Sequence, residues 1–142
     1  MITNRAEYLL AMLLDLANHR GEGYVLSRDV AERQSIPTKY MPQLMAMLTK
    51  KGWVASARGA GGGVALAVDP KDVSVQDVIA VSGDRFLVKS CVDAAYECPR
   101  KPACPLNPVW VRAQQNVDAV MRATTLADLL ASKDQIPPSH SY

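Results

Sequence analysis

The segment 91–108 constrains the fold of this 142-residue chain more than any other stretch of its sequence. It contains all three cysteines, Cys91, Cys98 and Cys104, and four of the nine prolines at intervals of three residues. Because proline fixes φ and lacks an amide proton, it is excluded from helix interiors and central strands. The segment is therefore predicted to be a stiff, extended loop that carries three thiols.

The thiols of this loop favour a metal-binding or redox role over structural disulfides, since an odd number of cysteines cannot all pair. Their spacing, C-x6-C-x5-C, differs from the paired C-x2-C of a zinc ribbon and from the C-x2-C-x2-C of bacterial ferredoxins. Thiolates are soft ligands that suit iron–sulfur clusters or zinc. Buried structural cysteines and a reversible disulfide are the alternatives.

An iron–sulfur cluster usually has four protein ligands, one more than the cysteines of this chain supply. The side chains considered for the fourth ligand are those of Asn107, Glu7, His19 and His140. Each of them also reads as an ordinary surface residue. Glu7 can reach a cluster only if the first helix of one chain approaches the loop of another chain.

The N-terminal half is predicted to contain a helix-turn-helix. A first helix is expected over residues 3–19, where apolar residues recur every three or four positions. Ser27 is expected to cap a short second helix, and Thr38 to begin a third helix that ends before Gly52. Pro42 lies about one turn inside the third helix, so its start is expected to be late or irregular.

A β-hairpin is predicted directly after the third helix. Residues 53–58 and 64–68 are short apolar segments on either side of a glycine-rich turn at 59–63. A hairpin at this position is the wing of a winged helix. The predicted fold class is mainly α with a small β-hairpin wing: a winged helix-turn-helix followed by a long dimerisation helix.

The C-terminal half is predicted to supply the dimerisation helix. Ser74 is expected to cap a short helix, with Asp77 in the capping-box position. Residues 109–123 read as one long helix whose uneven apolar stripe is expected to lie against a second copy of the chain. Thr125 and Asp128 are expected to form a second capping box before a last helical turn.

Three regions are predicted: residues 1–70 as the DNA-binding domain, residues 71–135 as the cysteine loop and dimerisation helix, and residues 136–142 as a flexible tail. The formal net charge is +2, but residues 1–67 carry eight Lys and Arg against five Asp and Glu. This surplus favours a polyanionic partner for the N-terminal half.

Double-stranded DNA is the partner predicted for residues 27–63, with the third helix in the major groove and the wing on the backbone or minor groove. The residues expected to contact DNA are Thr38, Lys39, Tyr40 and Gln43 in the third helix, Ser27 and Arg28 at the second helix, and Arg58, Gly59 and Gly61 at the wing. The alternative is a winged helix used only for protein contacts or assembly.

Two other functional classes are not indicated. No apolar run approaches the ~20 residues of a membrane span, and the N-terminus lacks the pattern of a signal peptide, so a cytoplasmic location is expected. The glycines at 61–63 lie between strands and not before a helix, so they do not form a phosphate-binding loop. No catalytic residues are predicted, and the chain is not expected to be an enzyme.

Together these features resemble the small winged-helix regulators typified by the iron–sulfur cluster biogenesis regulator IscR and the nitric-oxide-sensing repressor NsrR. The sequence R-G-A-G-G-G at 58–63 follows a helix-turn-helix that contains E-R-Q-S-I-P-T-K-Y at 32–40. Three cysteines then precede a long helix and the sequence T-T-L-A-D-L-L at 124–130. The resemblance covers residues 2 to about 133.

The resemblance implies a homodimer in which each chain holds an iron–sulfur cluster on Cys91, Cys98 and Cys104, with [2Fe–2S] preferred over [4Fe–4S]. IscR has a histidine three positions after its last cysteine, where this chain has Asn107. Relatives of NsrR can use an acidic residue from the partner's first helix, and Glu7 matches that position.

The function implied by the resemblance is transcriptional regulation, as a repressor that senses cluster status, redox stress or nitric oxide through its affinity for operator DNA. The alternative is a cluster-free winged-helix protein. It would act as a regulator switched by thiol oxidation or stapled by zinc, or as an assembly module.

Overall fold

The computed structural model describes residues 1–58 and 63–132. In that part of the chain the helices are α1 (Asn4–Asn18), α2 (Ser27–Arg33), α3 (Met41–Lys51), α4 (Val75–Val81), α5 (Asn107–Ala123) and α6 (Leu126–Ala131), and the strands are β1 (Val25–Leu26), β2 (Val54–Ala57) and β3 (Gly63–Leu66). The predicted fold class is confirmed, since a mainly helical body carries one small antiparallel sheet. None of the described helices is long and apolar enough to cross a membrane.

Helix α1 is the central element of the core. Thr3 caps it, with its side-chain oxygen accepting a hydrogen bond from the amide of Ala6 at 3.4 Å. The apolar stripe of α1 is buried and packs against α2, α3, α4 and α6. Its fully buried large side chains are Leu9, Met12, Leu13 and Leu16.

The prediction that Ser27 caps α2 is wrong. Ser27 is the first residue of the helix, and the capping position belongs to Leu26, whose backbone is extended at φ −71° and ψ 133°. Leu26 has this conformation because it pairs with Gly63 in strand β1. This two-residue strand was not predicted, since it is too short to show a periodicity of two.

The late start predicted for the third helix is confirmed. The prediction that the α-helix begins at Thr38 is wrong. A 3-10 turn occupies Thr38–Tyr40, and α3 begins at Met41 with Pro42 in its first turn. A proline there removes only an amide that has no intrahelical acceptor. Gly52 ends α3 in the left-handed region, at φ +81°, as predicted.

The wing is part of a three-stranded antiparallel sheet in the order β1-β3-β2. Val54 pairs with Leu66 and Ala57 with Gly63, which confirms the predicted hairpin. One face of the sheet closes the core through Val54 and Val64, which are 3% and 0% exposed. The turn residues 59–62 lie outside the described residues, as does the predicted tail at 136–142.

The chain returns to the N-terminal core after α5. Both predicted capping boxes are present, at Ser74 with Asp77 and at Thr125 with Asp128. Ser74 and Thr125 also form a β-bridge, next to a hydrogen bond from the amide of Leu126 to the carbonyl of Val73 at 2.9 Å. One hydrophobic core therefore contains residues from both sides of the boundary predicted at residue 70, which itself stays a prediction.

Candidate functional site

The recognition segment, residues 38–43, presents its predicted DNA-contacting side chains at the surface. Thr38, Lys39 and Gln43 are exposed, and Tyr40 is 39% exposed. The Tyr40 ring has two close neighbours: its centroid lies 5.8 Å from that of Tyr8, and the ammonium nitrogen of Lys39 lies 5.1 Å from the Tyr40 centroid. Tyr40 therefore links the start of α1 to the start of α3.

A cleft of about 290 Å³ lies between the N-terminus of α1 and this segment. Its walls are formed by Thr3, Asn4, Arg5, Tyr8, Tyr40, Gln43 and Leu44. The guanidinium of Arg5 is at 3.7 Å from the carboxylate of Asp84, which also accepts a hydrogen bond from Thr3. Sequence reasoning did not assign Tyr8 or Arg5 to this surface, because the contact between α1 and the recognition segment is tertiary.

The other predicted DNA-contacting residues frame the recognition segment. Arg28 is exposed in the first turn of α2, and its guanidinium approaches Asp29 only to 3.9 Å. Ser27, the residue before it, is half-buried. Arg58 is exposed directly after β2, whereas Gly59 and Gly61 lie outside the described residues.

A buried carboxylate fixes the helix-turn-helix to α1. Asp15 is 2% exposed and accepts hydrogen bonds from Nε and Nη2 of Arg33, at 2.9 and 2.7 Å, and from Nε2 of Gln34 at 2.9 Å. Burial alone would raise the pKa of Asp15. The hydrogen bonds from Arg33 and Gln34, together with the positive charge of Arg33, outweigh burial and hold that pKa below its ordinary value.

The cysteine loop is not uniformly extended, which corrects the sequence prediction. Two 3-10 turns interrupt it, at Ser90–Val92 and Lys101–Ala103. Proline suits the first positions of such a turn, because its fixed φ near −65° is close to the 3-10 value. All three cysteines are free and partly accessible.

The thiols share one loop, but in the single chain they are not gathered around one point. Within residues 1–58 and 63–132, no three His, Cys, Asp or Glu side chains lie close enough together to hold a metal ion. Three thiols are a fitting donor set for a soft metal or an iron–sulfur cluster.

The candidates for a fourth ligand have different surroundings. Glu7 is exposed on the first turn of α1, and Asn107 begins α5 with its amide nitrogen 3.5 Å from the carbonyl oxygen of Cys91. His19 is occupied within the DNA-binding half, where its Nδ1 lies 2.7 Å from the carbonyl oxygen of Asp15. His140 lies outside the described residues. Asn107 is thus the candidate that the fold brings next to a cysteine.

A helix-turn-helix with a wing, followed by a long and largely exposed helix, defines a winged-helix DNA-binding regulator. The family model described as "Rrf2: Iron-dependent Transcriptional regulator" matches residues 2–132. This chain belongs to the Rrf2 family.

Named relatives support the same assignment. Protein rrf2 of Nitratidesulfovibrio vulgaris is 34% identical over 136 residues, which cover 96% of this chain and 91% of the relative. The transcriptional regulator NsrR of Bacillus subtilis is 32% identical over 136 residues, which cover 95% of this chain and 93% of the relative. The solved structure of T. potens IscR superposes with a TM-score of 0.72 at 31% identity, covering 100% of this chain and 94% of that one.

The resemblance to regulators of the IscR and NsrR type is therefore confirmed. The role that these relatives share is transcriptional regulation and not catalysis. This chain is accordingly a transcriptional regulator with a DNA-binding fold.

Proposed function

We propose that this chain is an iron–sulfur cluster-dependent repressor that binds operator DNA as a cytoplasmic homodimer and responds to cluster status, redox stress or nitric oxide. The observation that carries the proposal is the position of Cys91, Cys98 and Cys104. They are three accessible thiols in one loop that leads directly into α5. The family description as iron-dependent supports it.

The cysteines would hold the cluster, with [2Fe–2S] preferred over [4Fe–4S]. When bound, the cluster would supply a centre that oxygen, superoxide and nitric oxide can modify. The loop would close around the cluster and bring the three thiolates together. Because α5 begins at residue 107, only three residues after Cys104, closure would also reposition the start of α5.

The partner's first helix is the proposed source of the fourth ligand. Glu7 is exposed in the first turn of α1, so its carboxylate is accessible to a loop on a second chain. Asn107 is the less favoured candidate, because its amide nitrogen is turned to the carbonyl oxygen of Cys91.

The dimer would form through one face of α5. Five apolar residues fall within about 80° of arc around the helix at its 3.6 residues per turn, and three of them are large and exposed, at 54%, 54% and 66%. The residues of this face are Leu106, Val109, Ala113, Val117 and Val120, with Leu106, Val109 and Val120 the exposed three. An unpartnered apolar stripe of this kind is commonly covered by a second copy.

The DNA-binding surface would combine the recognition segment with the two elements that frame it. Thr38, Lys39, Tyr40 and Gln43 would face base edges, while Ser27 and Arg28 would contact phosphates. Arg58, with Gly59 and Gly61, would follow the backbone or minor groove. In this arrangement residues 1–70 would bind DNA, and residues 71–135 would hold the cluster and form the homodimer.

A second candidate is a cluster-free regulator that responds to thiol oxidation or is stapled by zinc. The observation that favours it is that all three cysteines are free and partly accessible. Three accessible thiols in a loop without buried residues can also form and release a disulfide.

Anaerobic purification followed by iron, sulfide and zinc analysis separates the two candidates. We expect broad visible absorbance with near-equal iron and acid-labile sulfide, and loss of both in Cys98→Ala. The operator affinity of holo and apo protein should then differ. A colourless protein, or equal affinity of both forms for a verified operator, would refute cluster sensing, and zinc or oxidant-dependent binding would favour the second candidate.

A further inference from the structure

A buried amide on α5 faces the segment that enters the cysteine loop. Gln114 is 9% exposed and is the one buried residue of this otherwise accessible helix in the described chain. Buried polar side chains normally have hydrogen-bond partners. The partners of Gln114 lie both in the segment before the cysteine loop and on α5 itself.

Both polar atoms of the Gln114 amide have hydrogen-bond partners. Its Oε1 accepts from the backbone amide of Val88 at 2.8 Å, and its Nε2 donates to the carbonyl oxygen of Phe86 at 2.8 Å. Nε2 also donates to a carboxylate oxygen of Asp118 at 2.9 Å. Gln114 thus gives residues 86–88 the donor and acceptor that a neighbouring strand would otherwise provide.

Core packing does not fix this part of the chain. Residues 84–106 are all described, and none of them is buried. The hydrogen bonds of Gln114 therefore anchor the entry of the cysteine loop to α5. A second and weaker contact, from Asn107 to the carbonyl oxygen of Cys91 at 3.5 Å, lies two helical turns earlier on the same helix.

We infer that Gln114 is a positioning residue for Cys91. By holding residues 86–88 against α5, it sets where the Cys91 thiol stands relative to α5 and to the other two thiols. This role rests on the proposed function, in which Cys91 is the first thiol ligand of the set. A ligand set can select its metal group only if the position of each donor atom is fixed. The hydrogen bonds of Gln114 also connect the loop to α5. A movement of the loop would therefore break these bonds, and the freed groups would bind water instead.

The test compares the reactivity of the three thiols in reduced, metal-free protein. Alkylation of each cysteine by iodoacetamide is followed by peptide mass spectrometry in wild type and Gln114→Met, which keeps the side-chain length and removes all three hydrogen bonds. We expect the Cys91 rate to change by about tenfold, the effect of losing roughly one to two net hydrogen bonds. Cys98 and Cys104 should stay within about twofold, as expected for a local opening.

Two variants serve as controls. Gln115→Met changes the exposed neighbour, and Asp118→Ala leaves both backbone contacts of Gln114 in place, so each should keep the Cys91 rate within about twofold of wild type. An unchanged Cys91 rate in Gln114→Met, or an equal change at all three thiols with a fall in Tm, would overturn the assignment. If wild type binds no cluster, the proposed function fails while the alkylation result still decides the role of Gln114.

Discussion

Replacing Asp15 with asparagine is expected to destabilise the fold more than any other single charge removal in the DNA-binding half. The carboxylate is 2% exposed and receives three hydrogen bonds from α2 and the residue after it, at 2.7 to 2.9 Å. The introduced side-chain amide would keep one acceptor and turn an NH2 group towards Arg33. One of the two hydrogen bonds from the Arg33 guanidinium would then lose its acceptor, and the negative charge opposite the guanidinium would be gone.

The magnitude follows from the exposure of the two partners. Breaking a buried ion pair by removing one partner costs about 3–5 kcal/mol. The side chain of Arg33 is 38% exposed and can regain water, so we expect a smaller loss in the free energy of unfolding. A value of about 2–3 kcal/mol, or roughly 5–10 °C in Tm for a chain of this size, is expected for Asp15→Asn.

Urea unfolding at neutral pH, followed by circular dichroism, measures this loss. Asp29→Asn is the matched control, because its carboxylate lies 3.9 Å from Arg28 near the surface, and a change below about 0.5 kcal/mol is expected. A cycle with Arg33→Gln should give a coupling of about 1–2 kcal/mol between the partners. If Asp15→Asn costs no more than the control, the ion pair contributes no net stability and the reasoning is refuted.

Acidification offers a second test of the same contact. The pKa of Asp15 in the folded chain lies below its ordinary value of 3.8. The carboxylate therefore contributes stability above that value, and the contribution is lost as the pH falls through the lower folded pKa. The stability gap between wild type and Asp15→Asn should narrow below about pH 4. A gap that is constant between pH 7 and pH 3 would contradict this explanation.

Two further predictions concern the DNA surface and the helix α5. Arg58→Ala should weaken operator binding about tenfold and reduce the slope of log K against log salt by about one, while thiol chemistry and Tm stay unchanged. Lys71→Ala, an exposed lysine beside α6, is the control in the same titration, and equal effects would argue against a wing contact. Val120→Asp should shift the protein towards monomer in sedimentation velocity, because Val120 is 66% exposed on the apolar face of α5. Gln115→Asp should not, and an unaffected dimer in Val120→Asp would place the interface elsewhere.

The sequence predicted helix boundaries correctly where a boundary depends on residues close to it in the chain. Both capping boxes and the glycine that ends α3 are correct, since a cap needs only residues three or four positions apart. The late start of α3 followed from Pro42 alone. The expected cap at Ser27 failed because the pairing of Leu26 with Gly63, a contact distant in sequence, decides where α2 begins.

The candidate site was predictable in its residue types and not in its arrangement. Exposed residues of the recognition segment and the accessible thiols followed from the helix-turn-helix and proline patterns. The contact between Tyr8 and Tyr40 and the bonds of Gln114 to the loop could not be predicted, because they join elements that only tertiary packing brings together. The two 3-10 turns in the loop were missed, since proline is compatible with both extended and 3-10 backbone.

The bridge between Ser74 and Thr125 joins the two ends of the segment that contains α4, the cysteine loop and α5. At this point the amide of Val75 donates to the carbonyl of Thr124 at 2.9 Å. The middle of this segment, residues 85–106, contains no buried residue, so it can lengthen, shorten or change chemistry without altering the path of the core. We expect substitutions in residues 85–106 to change the chemistry of the loop while the DNA-binding body stays unaltered.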